Sequence, residues 1–302
     1  MNDYLTLDYF WPIIQLFAPA VITGLAMAAS GASIGVLVLL RREALVALAL
    51  PQVVLLGTAI GMRYFAVEDM NALSQTAYWL LEHTGWPTLP GAVVAVMLAL
   101  LLMAATRARR GEQFAASRSG IVLLPSLYIG AICTAVLVVA NSGNHLVDLQ
   151  NRFVGIDIAV DDHLAEVSTA ILLGCAIMVS MFWRRWLLIG QSPSAAQIAG
   201  LRPARWDALF LTLLAAVILV GTNALGAVLV LATLFLPAAT VLPWVRRVPT
   251  AMIAAVILSL ATYAFGFVLS NLPDYYWPLS HTVGGVGLAL FLTSYLLSLV
   301  LT

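Results

Sequence analysis

The sequence predicts an all-α, polytopic bundle of membrane-spanning helices, about eight to nine of them, forming one domain over residues 1–302. Three observations predict it. Hydrophobic residues fill 62% of the chain and charged residues only 9%, against roughly a quarter charged in an ordinary soluble domain. Apolar runs of about 20 residues, the length a helix needs to cross a bilayer core, recur along the chain. The cationic residues, all arginine, gather in the polar segments that follow alternate runs.

Hydropathy sets the spans at residues 11–40, 44–64, 91–106, 121–140, 164–183, 208–222, 225–245, 251–270 and 282–301. The first begins beside Tyr9 and Trp11, an aromatic anchor, and stops at Arg41 and Arg42. The second carries Pro51 and Gln52 at mid-membrane depth, and the third stops at Arg107, Arg109 and Arg110. The fourth follows Arg118, and the fifth stops at Arg184 and Arg185. Only a short polar turn around Asn223 separates the sixth from the seventh, so they are either two spans or one partly re-entrant hairpin. Arg246 and Arg247 precede the eighth, and Tyr275, Tyr276 and Trp277 anchor the approach to the ninth. A further aromatic group, Tyr78, Trp79 and Trp86, suggests a short helix resting on the outer surface.

Cytoplasmic loops carry the excess of arginine, and only Arg63 and Arg152 fall on the side opposite the other arginines. With nine spans, the N-terminus is therefore expected outside and the C-terminus inside. All four histidines and most of the acids map to the outer side. His145, Asp148, His163, Asp274 and His281 form a candidate cation-attracting face there, since imidazole and carboxylate suit borderline metals. The same residues equally suit a plain solvated loop surface, because no two histidines have the i, i+4 spacing of a metal-binding helix.

Other chemistries are excluded or unsupported. Without lysine there is no Walker A phosphate loop, so ATP, if used, belongs to a partner subunit and the chain itself binds no cofactor. A zero net charge gives no reason to expect nucleic acid. Cys133 and Cys175 lie within apolar runs and read as packing residues. No Gly-x-Ser-x-Gly elbow or paired-cysteine motif is present, so no covalent catalysis is expected. The first helix, with no cleavable leader ahead of it, reads as the targeting element.

The longest cytoplasmic loop, residues 184–207, contains a helix start and a helix stop. Ser192 can cap, Pro193 suits the first helical position, and Gly200 follows Ala195 to Ala199 as a terminator. A short helix of small residues at this place suits a groove on a partner protein, the alternative being a plain surface turn.

The segment Gly226 to Thr240, reading GAVLVLATLFLPAAT, closely resembles the signature span of the permeases of metal-type ABC importers, which carry zinc, manganese or iron. Gly35 to Arg42 resembles the end of that family's first span, and Val154 to Asp157 resembles another of its segments. Gln191, Pro193, Ala196, Gln197, Ala199 and Gly200 sit where the family places its coupling helix. The resemblance implies a type II-like permease in the bacterial inner membrane. Its expected partners are two ATPase subunits, an extracytoplasmic solute-binding protein, and a second permease copy forming a homodimer in the bilayer. A charge at Ala196 or an arginine at Gly200 is expected to uncouple such a complex.

The resemblance also implies a pathway on the second span, where the family carries an Asp and a His that face the cation. Here those positions are Leu48 and Gln52, flanking Pro51. Leucine offers a bare divalent ion nothing, and a neutral amide offers one oxygen. The expected cargo is therefore a metal ion served by other ligands or a metal chelate, and the alternative is a non-transporting scaffold or regulator derived from such a permease. A secondary transporter would be expected to show ionisable residues within its spans, and these spans hold almost none.

Overall fold

The computed structural model describes residues 7–64, 89–110, 118–139, 149–150, 153, 162–272 and 277–301. The described residues form helices and no strands: α1 (Leu7–Leu16), α2 (Ala18–Leu40), α3 (Ala44–Tyr64), α4 (Leu89–Arg110), α5 (Arg118–Val139), α6 (Asp162–Gln191), α7 (Pro193–Ile198), α8 (Pro203–Leu225), α9 (Ala227–Val241), α10 (Val248–Ser270) and α11 (Leu279–Leu301). Six of them, α2, α3, α6, α8, α10 and α11, are long and apolar enough to cross a membrane, while α4, α5 and α9 contribute shorter apolar stretches. These nine segments correspond one for one with the hydropathy spans. The expected outer-surface helix around Tyr78, the Val154 to Asp157 segment, and His145, Asp148 and Asp274 lie outside the described residues.

Three expectations change. The first span is two helices, broken at Phe17, because Pro19 opens α2 and, lacking an N–H, cannot continue the ladder of α1. The fifth does not stop at Arg184: α6 runs on to Gln191, so the segment 184–207 is mostly helical. Apolar residues beyond the arginines, Trp186 and Ile189 among them, are buried and extend the helix's packed face past the charged pair. The sixth and seventh spans meet at Gly226 alone, with φ 90° and ψ 153°, backbone angles that only glycine adopts at low cost. The chain folds back there, and the side chain of Val230 packs against Gly221. At 15 residues, α9 is shorter than the roughly 20 a full crossing needs.

Helix α2 forms the centre, packing on α6, α9 and α10, while α3 packs on α4 and α5. Helix α8 touches both groups. Small residues permit these contacts, since in lipid close van der Waals packing replaces the hydrophobic drive. Between α2 and α6, the Thr23 hydroxyl lies 3.2 Å from that of Thr169. Between α2 and α10, the Tyr263 hydroxyl donates to the Ala20 carbonyl at 3.3 Å.

Candidate functional site

Helix α7 is built from local chemistry. The Ser192 side chain accepts a hydrogen bond from the Ala195 N–H at 3.3 Å, and Pro193 occupies the first turn, where a missing donor costs nothing. At the other end the Leu201 N–H bonds the Ala196 carbonyl and the Gly200 N–H bonds that of Gln197, both at 2.9 Å. This is a Schellman stop, with Gly200 at φ 77°. The resulting six-residue helix is sealed at both ends and joined tightly to α6 and α8.

Its faces differ from the sequence expectation. Ala196 is fully buried and anchors α7 against its neighbours, so it cannot contact a partner. A charge there would break the anchor and not the contact. Gln191, Gln197, Ala199 and Gly200 are exposed and Pro193 is partly buried. Among the described residues the most exposed large apolar side chain is Ile198, at 90%, a residue the sequence did not single out.

Beneath α7 lies a cluster the sequence reading also missed. Arg41, one of the arginines that set the expected orientation, is 2% exposed. Its Nη1 donates to the Trp186 carbonyl at 2.8 Å, and its Nη2 donates to Glu43 Oε1 at 3.1 Å and to Asp207 Oδ1. The guanidinium stacks over the Phe210 ring, 4.3 Å from its centroid. Burial works against the charge of Arg41, but Glu43 and Asp207 outweigh it and hold its pKa above the ordinary value. Gly190 makes room for the side chain, because a Cβ there would sit 2.6 Å from Arg41 Cγ. Phe210 belongs to a cluster of touching rings with Trp186, Trp206 and Phe182, the Trp186 indole donating to the Trp206 carbonyl at 3.0 Å and the Arg185 guanidinium lying over Trp206 and Phe182. Opposite charges two residues apart at a helix end, Arg41 and Glu43, were the available signal.

Gln52 lies on α3 directly after Pro51, at 0% exposure, with neither its Oε1 nor its Nε2 hydrogen-bonded. It borders a cavity of about 170 Å³ with Leu55, Ile132, Leu149, Gln150 and Phe153. An amide desolvated without partners is costly, and here it lies behind a cavity wall whose exposed surface is apolar. Leu48, one turn earlier, is partly buried. Pro51 frees the Ala47 carbonyl from the helix ladder.

Of the outer metal candidates, only His163 and His281 lie among the described residues. His163 belongs to the first turn of α6, and His281 is exposed in the first turn of α11, with its Nδ1 3.1 Å from the Ser280 hydroxyl. Among the described residues no group of three or more His, Cys, Asp or Glu side chains is placed to hold a metal ion.

Comparison with known proteins agrees with this architecture. The ABC 3 transport family matches residues 13–301. A probable iron transport system membrane protein of Haemophilus influenzae is 33% identical over 50% of this chain and 53% of its own length, so the chain spans about half of that relative. The high-affinity zinc uptake system membrane protein ZnuB of the same organism is 24% identical over 87% of this chain and 90% of its own. Among solved structures, PsaBC from Streptococcus pneumoniae in complex with a Fab superposes with a TM-score of 0.74 at 16% identity, covering 96% of this chain and 95% of that one. An ABC transporter assigned to the metal-chelate type, in an inward-facing conformation, gives 0.63 at 17% identity over 98% and 92%. With the match running nearly end to end, this chain belongs to the ABC 3 transport family.

Proposed function

We propose that this chain forms the translocation path of a bacterial inner-membrane importer that brings a metal into the cytoplasm, powered by ATP on two separate subunits. A solute-binding protein would deliver the cargo from outside to a permease homodimer. The observation that carries the reading is the capped, anchored α7 with Ile198 projecting at 90% exposure. A lone apolar side chain on a rigid helix end suits a pocket on a partner, and a retired scaffold has no use for it. Ile198→Glu is expected to leave the chain folded and membrane-inserted while abolishing co-purification of the ATPase. Retention of the ATPase by that variant would remove α7 as the contact.

The pathway supports a metal that brings its own ligands. Gln52 and Gln150 border the cavity, but the surface it exposes is apolar. A bare divalent ion wants several oxygen, nitrogen or sulfur donors to replace its water, whereas a chelated metal needs only a cavity of matching polarity. Iron and zinc are the cargo named for two of the relatives, and chelated iron is named for a third, YfeC of Yersinia pestis, 33% identical over 36% of this chain. The test is ATPase stimulation in lipid, with the neighbouring ATPase and receptor, by free zinc, manganese and iron and by chelated iron. Stimulation by the chelate alone is expected. Stimulation by a free ion would shift the ligands to the outer histidines, and indifference to all probes would favour the scaffold reading.

A further inference from the structure

The turn joining α2 to α3 is more tightly specified than a three-residue connection requires. The Glu43 N–H bonds the Val38 carbonyl and the Arg42 N–H bonds that of Leu39, which is a Schellman stop. Its left-handed position, though, is filled by Arg42 at φ 58° and not by glycine. Such a conformation persists where the surroundings over-determine it. What over-determines it is visible on either side. Arg41 turns inward to Trp186 of α6 and Asp207 of α8, and Glu43 turns inward to Arg41 while its carbonyl receives the Val46 and Ala47 N–H groups that open α3.

Those elements are the two ends that hold α7 and the helix that carries Gln52. α7 packs on α6 and α8, and the guanidinium gathers Trp186 near the end of α6, Asp207 near the start of α8 and Glu43 just ahead of α3 around one planar, three-way fork. From Glu43 to Gln52 is about two and a half helical turns, with Pro51 freeing a backbone bond just before the amide. A buried ion pair is a poor way to gain stability, since apolar side chains of similar volume do as well or better. Its fixed geometry is what an apolar cluster lacks.

We propose that Arg41 is a positioning residue that ties the coupling helix to the Gln52 helix, so that displacement of α7 by the ATPase reaches the cavity through the Arg41–Glu43–Asp207 fork. This rests on the reading of α7 as the ATPase contact. The fork converts a movement at one end of the bundle into a change at a cavity on another helix, and it requires both the charge and the forked shape of arginine.

The test uses the complete complex with its ATPase and receptor in proteoliposomes, and reads metal transported per ATP hydrolysed with chelated iron, free iron, zinc and manganese as probes. Arg41→Lys keeps the charge and loses the fork, and Asp207→Asn keeps the shape and loses one charge. Both are expected to assemble and hydrolyse ATP, with transport per ATP lowered about tenfold, within the range of ordinary coupling energies. A merely structural role would lower assembled protein, hydrolysis and transport together and leave that ratio unchanged, which overturns the proposal. If the wild-type complex hydrolyses ATP without transporting any probe, the permease reading falls and the link falls with it. If the wild type transports and the variants keep its ratio, only the link falls.

Discussion

Gly35→Val is expected to yield little or no folded permease. α2 and α9 cross there with backbones in contact: a Cβ on residue 35 would overlap the Leu234 carbonyl oxygen and lie 2.8 Å from its carbon. Neither atom belongs to a side chain that could swing away. Relief requires the two helices to part, and with them the buried layer of Ile34, Val38 and Leu234. The cost is about 3 kcal/mol, the upper end of overpacking penalties, and a membrane helix pair has little hydrophobic drive to offset it. Thermal unfolding and gel filtration in detergent measure this. Gly130→Val is the control, since nothing lies within 4 Å of a Cβ at that exposed position of α5, and it should melt with the wild type. A Gly35→Val protein that did the same would refute the close approach.

Gly190→Val is expected to have the second largest effect, and for a different reason. The new side chain would meet Arg41 Cγ at 2.6 Å and Cβ at 3.3 Å. An exposed arginine would slide aside, but this one is held at its head by Trp186, Glu43 and Asp207. Displacing it breaks a buried ion pair, which costs about 3–5 kcal/mol when both partners are fully buried. Asp207 is 26% exposed, so the lower end applies. Combining Gly190→Val with Arg41→Ala makes room for the valine, and the double variant should lose clearly less than the sum of the two single losses. Additive losses in the unfolding midpoints would show that Gly190 and Arg41 do not interact.

The parts of the site that the sequence made legible are those with local causes. Ser192, Pro193 and Gly200 each act on backbone groups within a few residues, and the helix they delimit is found between them. Gln52 was marked out as an amide in an apolar run, and the structure gives it a cavity and no partner. The orientation of α7 was not legible. Six residues of similar size carry no periodic signal long enough to tell which of Ala196 and Ile198 faces inward, and the answer came from packing on α6 and α8. Arg41 misled for a related reason: the positive-inside rule counts arginines without asking whether one has turned back into the protein.

The sequence alone determined that this is a many-helix membrane protein, roughly where its apolar spans lie, and through its signature span which family it resembles, because burying an apolar run in lipid depends on the run itself. The tertiary structure alone decided that Arg41 is a buried junction, that Ile198 is the exposed tip, and that α2 and α9 touch at Gly35. Arg41 meets Trp186 and Asp207 across 145 and 166 residues of chain. Contacts at such separations are chosen by how the helices pack, and no local pattern encodes them.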